Sequence, residues 1–163
     1  MTFKIQNSKF KIPKIGIGAD HRGYKLKEAL KLFLVMQRYK VQDFGVFSED
    51  RADYPKIAIE LAQHLKSTPK PKSPQIDWGI LICSTGIGMS IAANKVKGVR
   101  AALCTSPKFA RQARQHNNAN VLVLAGDFTP LKKAKKIVQV FLSTSFLKGR
   151  YKKRIDLISK FEK

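Results

Sequence analysis

Five times over, the chain passes from a short apolar run to a longer segment whose apolar residues recur at helical spacing. A strand that is apolar along its whole length must be covered on both faces, and parallel sheets with crossover helices achieve this. The pairs are Lys14 to Ala19 with Gly23 to Met36, Val41 to Gly45 with Pro55 to Lys66, and Trp78 to Cys83 with Gly88 to Lys95. Val99 to Cys104 with Pro107 to Gln115, and Val121 to Ala125 with about Pro130 to Leu142, complete the series. The expected fold is therefore α/β, a five-stranded, mainly parallel sheet with right-handed crossovers, followed by a C-terminal helix over residues 149–163.

At 163 residues the chain suits one domain, 1–163, and 44% apolar content excludes disorder. The proline-bearing stretch 66–75 reads as an exposed linker insertion, because the alternation resumes after it. Neither the longest apolar run nor the segment Met1 to Lys14 has the form of a membrane span or a secretory signal, so a cytoplasmic location with no membrane partner is expected. Lys and Arg outnumber Asp and Glu by 32 to 11, a formal charge of +21 that would attract nucleic acid, an anionic surface or small phosphates. No known nucleic-acid module accompanies the charge, which is concentrated at the termini and the linker, so nucleic acid is not the expected partner.

In such a sheet, active groups gather beyond the carboxyl ends of the strands. Asp20 and His21 follow the first strand, Cys83 ends the third, and His116 with Asn117 is read as a polar loop before the fifth. Cys83-Ser84-Thr85-Gly86-Ile87-Gly88 places a thiol where strand becomes helix, with free amides and the positive end of a helix dipole to favour a thiolate and hold an anion. Cys83 and Cys104 lack the spacing of a zinc site or a disulfide framework. Each group also has a structural reading: Asp20 as a cap, His21 and His116 as packed or hydrogen-bonding loop histidines, and Cys83 as a small buried apolar residue. Arg150 and Arg154, four apart on the last helix, can grip one anion. The set fits proton abstraction beside a carbonyl, with no metal and no redox or nucleotide cofactor, and also fits a Cys83–His116 nucleophile and base for acyl or phosphoryl transfer.

The motifs Gly18-Ala19-Asp20-His21-Arg22-Gly23, Asp53-Tyr54-Pro55, Ile80 to Gly88, Ser90-Ile91-Ala92-Ala93-Asn94-Lys95, Arg114-Gln115-His116-Asn117 and Gly149-Arg150 with Arg154 resemble the type B ribose-5-phosphate isomerases and their relatives acting on galactose and allose phosphates. The resemblance implies a three-layer α/β/α Rossmann-like fold and interconversion of ribose 5-phosphate and ribulose 5-phosphate through an enediolate, in the non-oxidative pentose phosphate pathway. It implies Cys83 as the base, Thr85 as a polar helper, and His116 as the group that opens the furanose ring, with Asp20 near it. The amides of Ser84, Gly86, Ile87 and Gly88 would form an anion hole. His21, Arg150 and Arg154 would hold the phosphate, and Tyr54 and Asn117 the sugar hydroxyls. The pocket would be completed across a homodimer or homotetramer, the His116-Asn117 loop reaching the partner's Cys83 region. A six-carbon sugar phosphate as substrate, or a non-catalytic basic binding protein on this scaffold, are the alternatives.

Three departures from the family pattern stand out. Ser84 replaces a glycine, 66–75 is longer than usual, and Asp127 stands where many relatives have a phosphate-binding arginine. An acid there would repel phosphate. Either Lys132 or Lys133 compensates, or the loop points away, and Asp127→Arg is expected to lower KM.

Overall fold

The computed structural model describes residues 12–162, so most of the basic N-terminal segment and Lys163 fall outside it. Its strands are β1 (Lys14–Ala19), β2 (Lys40–Asp43), β3 (Trp78–Cys83), β4 (Ala101–Leu103) and β5 (Val121–Ala125). Its helices are α1 (Tyr24–Met36), α2 (Tyr54–Gln63), α3 (Ile87–Ala93), α4 (Pro107–Asn117), α5 (Leu131–Ser143) and α6 (Arg150–Phe161). The sheet order is β2-β1-β3-β5-β4, and all four pairings are parallel.

Period-two alternation divides each central strand between two cores. Ile15, Ile17, Ile80, Ile82, Leu122 and Leu124 are buried with Leu30, Leu34, Ala110, Ile137 and Phe141 of α1, α4 and α5. Leu81, Cys83, Val121 and Val123 are buried with Ala58, Leu61, Met89 and Ala92 of α2 and α3 on the other face. This is the three-layer α/β/α arrangement. The crossover from β1 runs toward β2 and that from β3 runs the opposite way, so a crevice opens between the carboxyl ends of β1 and β3. The edge strand β4 is shorter than Val99 to Cys104, and Asn94 covers part of its free side: its Oδ1 accepts from Ala101 N–H at 2.8 Å and its Nδ2 donates to Ala101 O at 2.9 Å.

The stretch 66–75 is mostly exposed, with Thr68 buried, and is stapled at its base. Lys66 N–H donates to Ile76 O, Ile76 N–H to His64 O, and the His64 ring lies 3.0 Å from Pro74 O.

Helix α4 runs two residues past the expected end at Gln115. Ser106 Oγ accepts from Phe109 N–H to start it, and Asn118, in the left-handed region at φ 44°, ends it. Buried Arg114 fixes that end: it lies 4.1 Å from the Trp78 ring centre and donates to Asn118 Oδ1, Ala119 O and Thr144 O. Burial, together with the nearby Arg100 charge, lowers its pKa to about 10. His116 and Asn117 therefore belong to the last helical turn, not to a loop.

Candidate active site

The expected residues form two groups, and one chain does not bring them together. The first occupies the β1–β3 crevice. Asp20 is buried, and its Oδ1 accepts from Arg22 N–H at 3.0 Å and Gly23 N–H at 3.1 Å, so it closes the turn ahead of α1, whose N-cap is Gly23 with no side-chain cap bond. His21 is half-buried, with Nδ1 3.4 Å from Ala52 N–H. Tyr54 opens α2, and its ring lies over Gly88, where an added Cβ would come within 2.6 Å of it. Gly88 thus makes room for a tyrosine, from within α3.

Cys83 ends β3 as a free thiol, 5% exposed, with its sulfur-bearing side chain in the α2–α3 core. Gly86 follows at φ +77°, a conformation that L side chains avoid, and begins α3. Thr85 is exposed and its Oγ1 accepts from Ile87 N–H at 3.3 Å. Burial pushes the Cys104 thiol up to about 12, which makes it a poor thiolate.

Two of the departures from the family pattern turn out to be one unit. Ser84 Oγ donates to Asp127 Oδ2 at 2.6 Å, and Arg22 donates to the same oxygen from Nη2 at 2.7 Å and Nε at 3.1 Å. Those bonds from Ser84 and Arg22 hold the Asp127 carboxyl below its usual range. Gly126 N–H donates to Cys83 O at 2.7 Å and Asp127 N–H to Ser84 O at 3.1 Å, so the loops after β1, β3 and β5 are tied together. The charge at 127 is countered by Arg22, not by the expected Lys132 or Lys133, because the turn after β1 folds against the loop after β5.

The second group lies at the far end of α4. Because α4 runs back antiparallel to the strands, its last turn precedes β5 and sits at the amino edge of the sheet, opposite Cys83. The expectation that His116 and Asn117 join Asp20, His21 and Cys83 beyond the carboxyl ends is therefore corrected for a single chain. A five-residue strand such as β5 separates the two edges by about 16 Å. Around His116, α6 brings up Tyr151, Arg150 and Arg154. The His116 and Tyr151 rings stack with centroids 4.3 Å apart and planes 9° from parallel, and both arginines are exposed. Tyr151 recurs with Ile155 and Ile158 at helical spacing along α6, and its partner on α4 is set by tertiary packing, which periodicity does not show. A cavity of about 450 Å³ adjoins this edge, lined by Asn117, Arg100, Ala102, Ile158 and Phe161 among others, and Cys83 is not among its walls. Among the described residues no group of three or more His, Cys, Asp or Glu could hold a metal, and no helix is long and apolar enough to cross a membrane.

Fold and crevice together define a doubly wound α/β protein of three layers, with a free thiol and a glycine turn where its crossovers diverge. The chain belongs to the Ribose/Galactose Isomerase family, whose model matches residues 15–158. It is 40% identical over 149 residues to ribose-5-phosphate isomerase B of Escherichia coli, covering 91% of this chain and 96% of that protein. It is 44% identical over 150 residues to a probable ribose-5-phosphate isomerase B of Mycoplasma genitalium, covering 91% and 95%. Among solved structures, ribose-5-phosphate isomerase B of Clostridium thermocellum superposes with a TM-score of 0.86 at 44% identity, covering 91% of this chain and 97% of that one. The Mycoplasma genitalium enzyme with bound ribulose-5-phosphate does so with a TM-score of 0.84 at 44% identity, covering 91% and 95%.

Proposed function

We propose that this chain interconverts D-ribose 5-phosphate and D-ribulose 5-phosphate in the non-oxidative pentose phosphate pathway, in the cytoplasm, with Cys83 as the base. The observation that carries the reading is the free thiol of Cys83 at the end of β3, followed by the left-handed Gly86 that turns the chain into α3. In the open-chain aldose, the Cys83 thiolate takes the C2 proton, the freed pair forms the C1–C2 double bond, and the carbonyl oxygen becomes the enediolate oxygen. Backbone amides from Ser84 to Gly88 stabilise that oxygen. A proton passes between the two oxygens with Thr85 assisting, Cys83 returns its proton to C1, and the ketose results. His21 binds phosphate from the crevice and Tyr54 a sugar hydroxyl.

The two groups at opposite sheet edges support a site shared between two copies. In it, His116, Asn117, Arg150 and Arg154 of a second copy face the crevice of the first, His116 opening the furanose ring beside Asp20. The direct test is a coupled assay of the purified protein with ribose 5-phosphate and no added metal, run beside Cys83→Ala. The wild type is expected to turn over, and Cys83→Ala to lose about a thousandfold or more in kcat while still binding substrate. Substantial activity in Cys83→Ala would mean a different base. Turnover confined to allose or galactose 6-phosphate would move the substrate to six carbons.

A further inference from the structure

Tyr151 stands between two groups that the proposed reaction uses for different purposes. Its ring lies parallel to the His116 imidazole at 4.3 Å, and its hydroxyl accepts from Arg150 Nη2 at 3.0 Å. The guanidinium carbons of Arg150 and Arg154 are 5.0 and 5.9 Å from the centre of the same ring. Leu147 N–H donates to Gln115 O at 3.1 Å, which anchors the approach to α6 on the residue just before His116. One half-buried side chain on the first turn of α6 thus touches the group assigned to proton transfer and both arginines assigned to phosphate.

Resting on the reading above, we propose that Tyr151 is a positioning residue for this reaction: its ring sets the plane of the His116 imidazole and its hydroxyl sets Arg150, so that the proton carrier and the phosphate grip move as one unit. A proton carrier must lie within hydrogen-bond reach of a particular oxygen, and an imidazole free to rotate about its χ2 bond meets that condition only part of the time. A parallel ring confines it. An exposed arginine has many rotamers, and losing them on anion binding weakens affinity, so an arginine already held in place binds more tightly. The tyrosine hydroxyl takes up one of five guanidinium N–H donors and leaves the rest for phosphate oxygens. The two roles separate cleanly, because a phenylalanine keeps the ring and loses the hydroxyl, whereas a leucine loses both.

The experiment compares wild type, Tyr151→Phe and Tyr151→Leu by kcat and KM on ribose 5-phosphate, by calorimetric affinity for inorganic phosphate, and by NMR of the His116 ring protons. The chain has three histidines, so those resonances are readily assigned. Tyr151→Phe should keep kcat within about twofold while KM and the phosphate Kd rise about three- to tenfold. Tyr151→Leu should add a fall in kcat of about three- to tenfold and move the His116 ring protons downfield as the neighbouring ring current is lost. Equal kcat in the two variants would overturn the ring's role, and unchanged phosphate affinity in Tyr151→Phe would overturn the hydroxyl's. Should the wild type fail to convert ribose 5-phosphate, the isomerase reading falls, while the ring-proton shift and the phosphate affinities still decide what Tyr151 holds.

Discussion

At position 127 a carboxylate occupies ground where a phosphate-binding site would favour a cation, and its neighbours show how the charge is contained. Arg22 offsets it at 2.7 Å and Ser84 spends its hydroxyl on it, so the crevice feels a dipole in place of a free anion. Asp127→Arg, expected from the sequence to lower KM, would set two arginines face to face and remove the acceptor of Ser84. Asp127→Asn is the cleaner change, because it can still accept from Ser84 while freeing the cation beside His21. KM for ribose 5-phosphate is expected to fall about two- to fivefold at low ionic strength and to converge on wild type as salt rises, since both side chains are solvent-exposed. Arg22→Ala should do the reverse. Because hydrogen bonds from Ser84 and Arg22 hold the carboxyl below its ordinary range, the contrast between Asp and Asn should persist down to about pH 4. Steady-state kinetics over a salt series decide it, and a KM indifferent to both substitutions would count against any phosphate near this loop.

Between α1 and β2 lies the most deeply buried charge among the described residues. Lys27 has no exposed side-chain surface, and its Nζ meets Asp43 at 2.7 and 2.8 Å and Glu28 at 2.8 Å, while Lys31 shares Asp43 at 2.6 Å. Burial pulls Asp43 up, yet the bonds from Lys27, Lys31 and Gly45 N–H outweigh it and leave the carboxyl below its usual range. Glu28 is lowered in the same way by Lys27. Carboxylates depressed in the folded state add stability above their unfolded pKa of about 4, and lose it as pH falls through their folded values. Lys27→Met is therefore expected to cost about 2 kcal/mol at neutral pH, less than a fully orphaned buried charge because Lys31 and Gly45 remain, and to move acid unfolding to higher pH. Urea unfolding at pH 7 and a circular-dichroism acid titration test this, and an unchanged acid midpoint would refute it. Such a cluster was not legible in the sequence, where Lys27 sits in a helix among other lysines. What was legible is equally particular: Trp78–Cys83 and Val121–Ala125 match their expected bounds because central parallel strands are apolar on both faces. Helix α4 was misjudged because its end is set by Asn118 adopting φ 44° and by Arg114 reaching Thr144, thirty residues away. Whether that helix ends at Gln115 or at Asn117, the approach to β5 lies at the amino edge of the sheet, so the direction of the crossover places His116 on the side opposite Cys83.

For the molecule as a whole, that misplacement becomes the strongest constraint on how it works. If Cys83 and His116 must act on one sugar and one chain holds them at opposite edges, each site draws the thiol from one copy and the imidazole from another. Complementation follows from this arrangement. Homodimers of Cys83→Ala lack the thiol in both sites, and homodimers of His116→Ala lack the imidazole in both. In a mixed dimer, one site combines both defects, and the other combines the intact Cys83 of one chain with the intact His116 of its partner. Equal mixing with free subunit exchange makes about half the dimers mixed, so about a quarter of all sites are whole. Two preparations, each nearly inactive on ribose 5-phosphate, should therefore recover about a quarter of wild-type kcat when mixed under conditions that let subunits exchange, and none when exchange is blocked by prior crosslinking. A site contained in one chain predicts no recovery at any ratio, because every chain would carry a disabling change in its own pocket.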